Sequence, residues 1–340
     1  MLSELTSKET AVLRAVVRAY VEQARPAASK YIASRCGLGM SPATIRSIMV
    51  GLEERGCLVQ KKHRSAGRVP SEAGLRLYAS SILELDRLET GERRRIRRAF
   101  RATGSEPRHT LRQASRILSE FSEHTGVVLA PRFSTTPLRS AQFVPLQPGS
   151  VVAVLVDEAG FVFARVVPTD DSLGGGELEK FNNYMSLRLG GRSLRQLREL
   201  IAQEADEQAG SFNRVLARLL SMARKAVEAE AETLFVGGRL NVLNHPESAD
   251  LRLLRQTLLA LEEKRHLVRL LDSTVGEGVH ISIGGQQALA GLSLVSSAYR
   301  GKGGGFIGSL GVVGPMRMDY ARIVPLVAYT ALQVSQVLDH

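Results

Sequence analysis

Lys61, Lys62, His63, Arg64 and Arg68 fall within eight residues, around Ser65, Ala66 and Gly67. That density of like charge resists closing into a tight turn unless an anion lies opposite. Nucleic-acid phosphate is the anion that fits, because Lys and Arg contacts to it supply a strong, salt-dependent and sequence-independent grip. Just upstream, a helical wheel at about 100° per residue puts Ile45, Ile48, Met49 and Leu52 on one side. Ala43, Ser47 and Val50 point the other way, flanked by Thr44 and Arg46. Small residues on such a face permit close approach to a groove. Arg46 can take guanine with two hydrogen bonds, Thr44 and Ser47 can take bases or phosphates, and Val50 can meet a thymine methyl.

The elements that must position these side chains are legible. Thr6-Ser7-Lys8-Glu9 has capping-box spacing, and Val12/Leu13, Val16/Val17 and Tyr20/Val21 recur every four residues in a helix that ends before Pro26. A short helix follows over Ser29 to Cys36, stopped by Gly37. Ser41 then caps a third helix with Pro42 at its first position, where the missing amide proton costs nothing, and Gly56 closes it. Leu58-Val59 opens a strand that pairs back across Gln60 to Arg68, Gly67 allows the turn, and the basic residues project at its tip. Three helices, a strand and a basic loop in that order make a winged helix-turn-helix. Its contact set is Ser41, Ala43, Thr44, Arg46, Ser47, Val50, Lys61, Lys62, His63, Arg64, Ser65 and Arg68.

Charge is divided along the chain as this reading requires. Of a formal net charge of +11 over 340 residues, residues 1–140 hold 25 Lys/Arg against 13 Asp/Glu, or +12, and the remainder 20 against 21, or −1. The front binds a polyanion and the back does something else. Cys36 and Cys57 lie far apart with no Cys/His cluster, so both read as small buried residues of a reduced compartment rather than a disulfide or zinc site. Histidines are scattered, and Asp157/Glu158 and Asp170/Asp171 sit in turns without a nucleophile or base. No catalysis, metal or cofactor is expected. The glycines at 284–285 and 301–305 read as hairpin turns, since no phosphate-loop lysine follows them. The uncharged stretches at 278–299 and 323–338 are too diluted or too short to span a bilayer, so the chain reads as cytoplasmic.

Beyond the wing, helical spacing runs over 74–101 with a break near Thr90-Gly91. Its six arginines, Arg93, Arg94, Arg95, Arg97, Arg98 and Arg101, read as a solvated linker face rather than a phosphate clamp. A helix over Leu111 to His124 leads to a strand at Val127–Ala130. A hairpin follows, from Val151–Val156 and Phe161–Val167 around Asp157-Glu158-Ala159-Gly160. Helical pattern returns over about 177–232 as an insertion. After it come a strand at Thr233–Val236, one helix over Asp250–Leu271, strands at Val279–Ile283, Leu292–Tyr299 and Phe306–Val312, and a last helix from Asp319. The back half is α+β. Met316 to Asp319 reads as an elbow with Asp319 as helix N-cap, and Pro325 is expected to kink or delay the helix.

Ser41-Pro42-Ala43-Thr44-Ile45-Arg46, Leu52-Glu53 and Ser65-Ala66-Gly67-Arg68-Val69-Pro70 resemble the heat-inducible transcription repressor HrcA family. So do Ser293-Leu294-Val295, Tyr299 and the block from Gly311 to Arg322, GVVGPMRMDYAR. The resemblance implies a homodimeric repressor of heat-shock and chaperone operons that binds a palindromic, inverted-repeat operator and has the chaperonin GroEL as cofactor protein. It implies an α+β multidomain chain: a winged helix-turn-helix domain over 1–75, a helical linker over 76–105, a GAF-like α/β domain over 106–176 and 233–340, and an inserted helical dimerising domain over 177–232. The alternative is a winged-helix regulator whose GAF-like domain binds a small effector. Ser47-Ile48 replaces the family's usual Asn-Glu, removing an amide that would grip adenine, and the wing is longer and more basic than the family's.

Overall fold

A computed structural model describes residues 5–23, 25–60, 67–82, 88–102, 106–132, 136–169, 175–193, 195–197, 199–200, 234–244, 251–283, 292–302 and 304–339. Helices α1 (Ser7–Gln23), α2 (Ser29–Arg35) and α3 (Pro42–Glu54) precede a two-stranded antiparallel sheet, β1 (Leu58–Gln60) and β2 (Arg68–Pro70). The capping box forms: the Glu9 amide donates to Thr6 Oγ1 at 3.3 Å, and the Thr6 amide donates to Glu9 Oε2 at 2.8 Å. The four-residue repeat of α1 buries Val12, Leu13, Val16 and Val17 against α3. Helix α4 (Glu72–Ile82) leaves the small sheet and packs on α1, and α5 (Thr90–Arg101) follows.

The second half is built on a five-stranded antiparallel sheet of order β7-β3-β10-β9-β8. Its strands are β3 (Thr125–Leu129), β7 (Leu234–Gly237), β8 (Val279–Ile283), β9 (Leu292–Arg300) and β10 (Phe306–Pro315). Every residue of β3 is buried, and all of β9 but its last, because the sheet is covered on both faces. This accounts for runs of apolar and small residues where a one-sided sheet would alternate. Helix α6 (Pro107–Ser122) and the last helix, α10 (Tyr320–Asp339), pack together on one face. Leu261, Leu267 and Leu271, from α8 (Leu251–Glu262) and α9 (Lys264–Ser273), meet Val127, Leu129 and Val313 on the other.

One helix and one strand depart from expectation. The helix expected over Asp250–Leu271 is two helices, parted at Glu263, whose backbone leaves the helical region at ψ 70°. Pro325 lies inside α10 without delaying its start at Tyr320, and Asp319 caps it, accepting from the Arg322 amide at 3.4 Å. A strand not foreseen, β4 (Leu138–Gln147), pairs with β5 (Ser150–Asp157) and β6 (Val162–Pro168) in a separate three-stranded sheet. Its alternation fails after Phe143, where its last four residues are all exposed.

Helix α7 (Gly175–Leu189) packs on β4. Phe143 meets Phe181 edge-on at 4.8 Å, and the Asn182 amide bonds both backbone groups of Phe143. The expected cut at 177 therefore separates α7 from the strand it covers. Most of the expected helical insertion, 201–232, lies outside the described residues, as do the glycines at 284–285. Gly301 and Gly304 close the β9–β10 hairpin as expected. Among the described residues α10 is long and apolar enough to cross a membrane, but half of the relevant stretch is buried in the fold.

Candidate nucleic-acid interface

Local chemistry fixes the start of α3. Ser41 Oγ accepts the Thr44 amide at 3.1 Å and shares a hydrogen bond with Thr44 Oγ1 at 2.9 Å. The side chain thus satisfies one amide that the first helical turn leaves unpaired. Ile45, Met49 and Leu52 are fully buried and Ile48 half-buried, which fixes the rotation of the helix about its axis. Ala43, Thr44, Arg46 and Ser47 are consequently exposed, together with Val50. The Arg46 guanidinium has no partner among the described residues.

The approach of α1 to the far end of α3 is also pinned. Glu9, held below the usual carboxylate range by hydrogen bonds from the Thr6 amide and hydroxyl, meets Arg55 at 3.4 Å beyond the last turn of α3.

Strands β1 and β2 pair in the expected register, with Gln60 opposite Arg68. The basic tip, Lys61, Lys62, His63, Arg64, Ser65 and Ala66, lies outside the described residues; its two ends are placed. Gly67 has φ +82°, and a Cβ there would lie 2.5 Å from the Ala27 carbonyl oxygen. Glycine is needed both for the turn and for contact with the segment before α2. Arg68 completes that contact, exchanging two backbone hydrogen bonds with Ala27 at 2.8 and 3.0 Å.

The side chain of Arg68 departs from its expected role. Grouped by sequence with the outward cations, it is instead only 13% exposed, and its Nε pairs with Glu53 Oε2 at 2.7 Å. Its charge is spent on the last turn of α3, so it ties the β-hairpin to that helix.

Sequence reasoning missed the N-terminal end of α2. Ser29 and Lys30 line the same open concavity, of about 810 Å³, as Ala43, Arg46, Ser47 and Gln60. A single lysine on a seven-residue helix has no periodicity to mark it. Also unforeseen is the reach of the C-terminal block: Arg317 Nη1 donates to the Val21 carbonyl in the last turn of α1 at 2.6 Å. Met318, in the expected elbow, is fully buried.

Cys57 is buried and Cys36 only half-buried; both are free thiols that burial pushes upward in pKa. Among the described residues no group of three or more His, Cys, Asp or Glu is placed to hold a metal ion.

Residues 108–324 match the family model described as the HrcA protein C terminal domain. The chain is 38% identical over 342 residues to the heat-inducible transcription repressor HrcA of Geobacter sulfurreducens, covering 99% of each protein. It is 37% identical over 345 residues to the protein of the same name from Syntrophobacter fumaroxidans, again with 99% of each covered. A crystal structure of a hypothetical protein at 2.2 Å resolution shares the fold, with TM-score 0.62 at 23% identity over 99% of both chains.

Proposed function

We infer the function from the family to which this chain belongs, that of the heat-inducible transcription repressor HrcA: it is a negative regulator of transcription. We propose that residues 1–75 act as a winged helix-turn-helix, with α3 entering the major groove of a palindromic operator and 61–66 lying along the adjacent backbone. The carrying observation is the two-sided character of α3. Its buried residues lock the helix, which turns Ala43, Thr44, Arg46, Ser47 and Val50 outward beside Ser29 and Lys30. Within this reading Arg46 reads a base and Lys61, Lys62, His63, Arg64 and Ser65 hold phosphate. Ser41 and Arg68 position their elements.

The second half is proposed to be a GAF-like domain, built on the five-stranded sheet, with a dimerising insertion. We draw that insertion from β4 onward, over 138–232, so that β4–β6 stay with α7. One face of this sheet carries Val144, Val152 and Val166 in one cross-strand row and Val156 with Val162 in another. Val144, Val162 and Val166 are 46, 53 and 51% exposed. A valine face of this kind suits a second copy of the chain, and two-fold symmetry would match a palindromic operator. By resemblance the chaperonin GroEL favours the active repressor.

The test is selection of bound fragments from genomic DNA, with and without chaperonin. Enrichment of an inverted repeat upstream of chaperone genes is expected. Arg46→Ala should erase the preference for that repeat over scrambled duplex, a discrimination of about 1–3 kcal/mol per base contact. Equal loss on both DNAs would remove Arg46 from base reading.

A further inference from the structure

Helix α5 carries six arginines in twelve residues, and the structure divides them into two sets. Ile96 and Phe100 are buried, and α5 touches both α6 and α10. Along its flanks Arg95 pairs with Glu120 at 3.1 Å and lies over the Phe121 ring at 4.8 Å, both on α6. On the other flank Arg93 lies over the Tyr329 ring of α10 at 5.5 Å, and Arg97 reaches the Tyr329 hydroxyl at 3.5 Å. These three guanidinium groups clamp the helix onto its neighbours.

Arg94, Arg98 and Arg101 are different. They recur at i, i+4 and i+7 on the side opposite Ile96 and Phe100, all three are exposed, and none has a partner among the described residues. Like charges at this spacing repel along a helix. The nearby carboxylates Glu92 and Glu120 are engaged elsewhere, with Arg322 and Arg95.

We propose that Arg94, Arg98 and Arg101 form a second phosphate-binding row, which grips the backbone of duplex DNA outside the segment contacted by α3. The row spans about 10 Å at roughly 1.5 Å per residue, the axial length of about three phosphates on one strand at roughly 3.4 Å each. It belongs to the segment 1–140 that carries the whole positive excess of the chain. The inference rests on the DNA-binding reading of α3 and extends its footprint.

The experiment titrates the full-length protein onto a labelled mixed-sequence DNA duplex over a salt series, since backbone contacts need no operator. Replacing Arg94→Gln, Arg98→Gln and Arg101→Gln together should lower the slope of log affinity against log salt by about 2 to 3, at roughly 0.9 per phosphate contact. The corresponding triple change to Lys should keep the slope. Changing the clamping set, Arg93→Gln, Arg95→Gln and Arg97→Gln, should lower the melting temperature and leave the slope alone. An unchanged slope in the outward triple variant overturns this proposal alone. Failure of the unmodified protein to bind duplex overturns it together with the reading of α3. Loss of retention on immobilised polyglutamate with an unchanged DNA slope would overturn it in favour of an acidic protein partner.

Discussion

At the scale of single residues, side-chain type and side-chain assignment part company. Wheel geometry separates Ile45, Met49 and Leu52 from Arg46 and Ser47 without any tertiary information, because the helical period alone decides which side chains share a face. Arg68 shows the limit: sequence counts it among the tip cations, while the fold brings Glu53 to 2.7 Å and consumes the charge. Asp157 is a second case. Read as a turn residue, it is fully buried; Oδ1 accepts the Phe161 amide at 2.8 Å and Oδ2 makes no hydrogen bond among the described residues. Burial raises its carboxyl from 3.8 to about 6. The folded chain therefore favours the protonated acid. Stability is fully retained below the unfolded value, declines as pH rises towards 6 and stays reduced above it, by an amount on the order of 3 kcal/mol. Asp157→Asn, which imitates the protonated acid, should flatten this dependence and raise stability most at pH 8. Urea titration of both proteins at pH 4.5 and pH 8 checks it, and an equal effect at the two pH values would refute the burial account.

At the scale of elements, three helix starts follow from capping chemistry and strand limits from what covers the sheet. Thr6, Ser41 and Asp319 each sit where a side-chain oxygen can serve an unpaired amide, and all three helices start there. Strand β4 is lost to sequence because its exposed apolar residues break the alternation that marks a half-buried strand. Hairpin β1–β2 was legible in register, but its anchorage was not: Gly67 must both turn and admit the Ala27 carbonyl. Gly67→Ala forces a side chain into a left-handed conformation and against that carbonyl, so we expect a loss of about 1–3 kcal/mol and weaker DNA binding. Calorimetric melting of the full chain measures it; a melting temperature equal to the parent's would show that the hairpin base yields.

At the scale of the whole molecule, the two halves are joined by specific bonds. Arg317 holds the Val21 carbonyl, Arg76 holds the Ile283 carbonyl at 3.0 Å, and Arg322 pairs with Glu92 at 3.3 Å. If the valine face of β4–β6 closes the proposed dimer, Val166→Asp should halve the mass seen by light scattering and weaken operator binding by at least tenfold. A variant that remains dimeric would move the interface elsewhere. Sequence by itself determined the capped starts of α1, α3 and α10, the inward and outward faces of α3, the pairing of β1 with β2 and the family, since each rests on local periodicity, capping or contiguous motifs. Only the tertiary structure decided that Arg68 and three arginines of α5 are spent internally, that Asp157 is buried, and that β4 to α7 form one unit. Those outcomes depend on which distant group removes water from a side chain or neutralises its charge, and spacing along the chain carries no record of that.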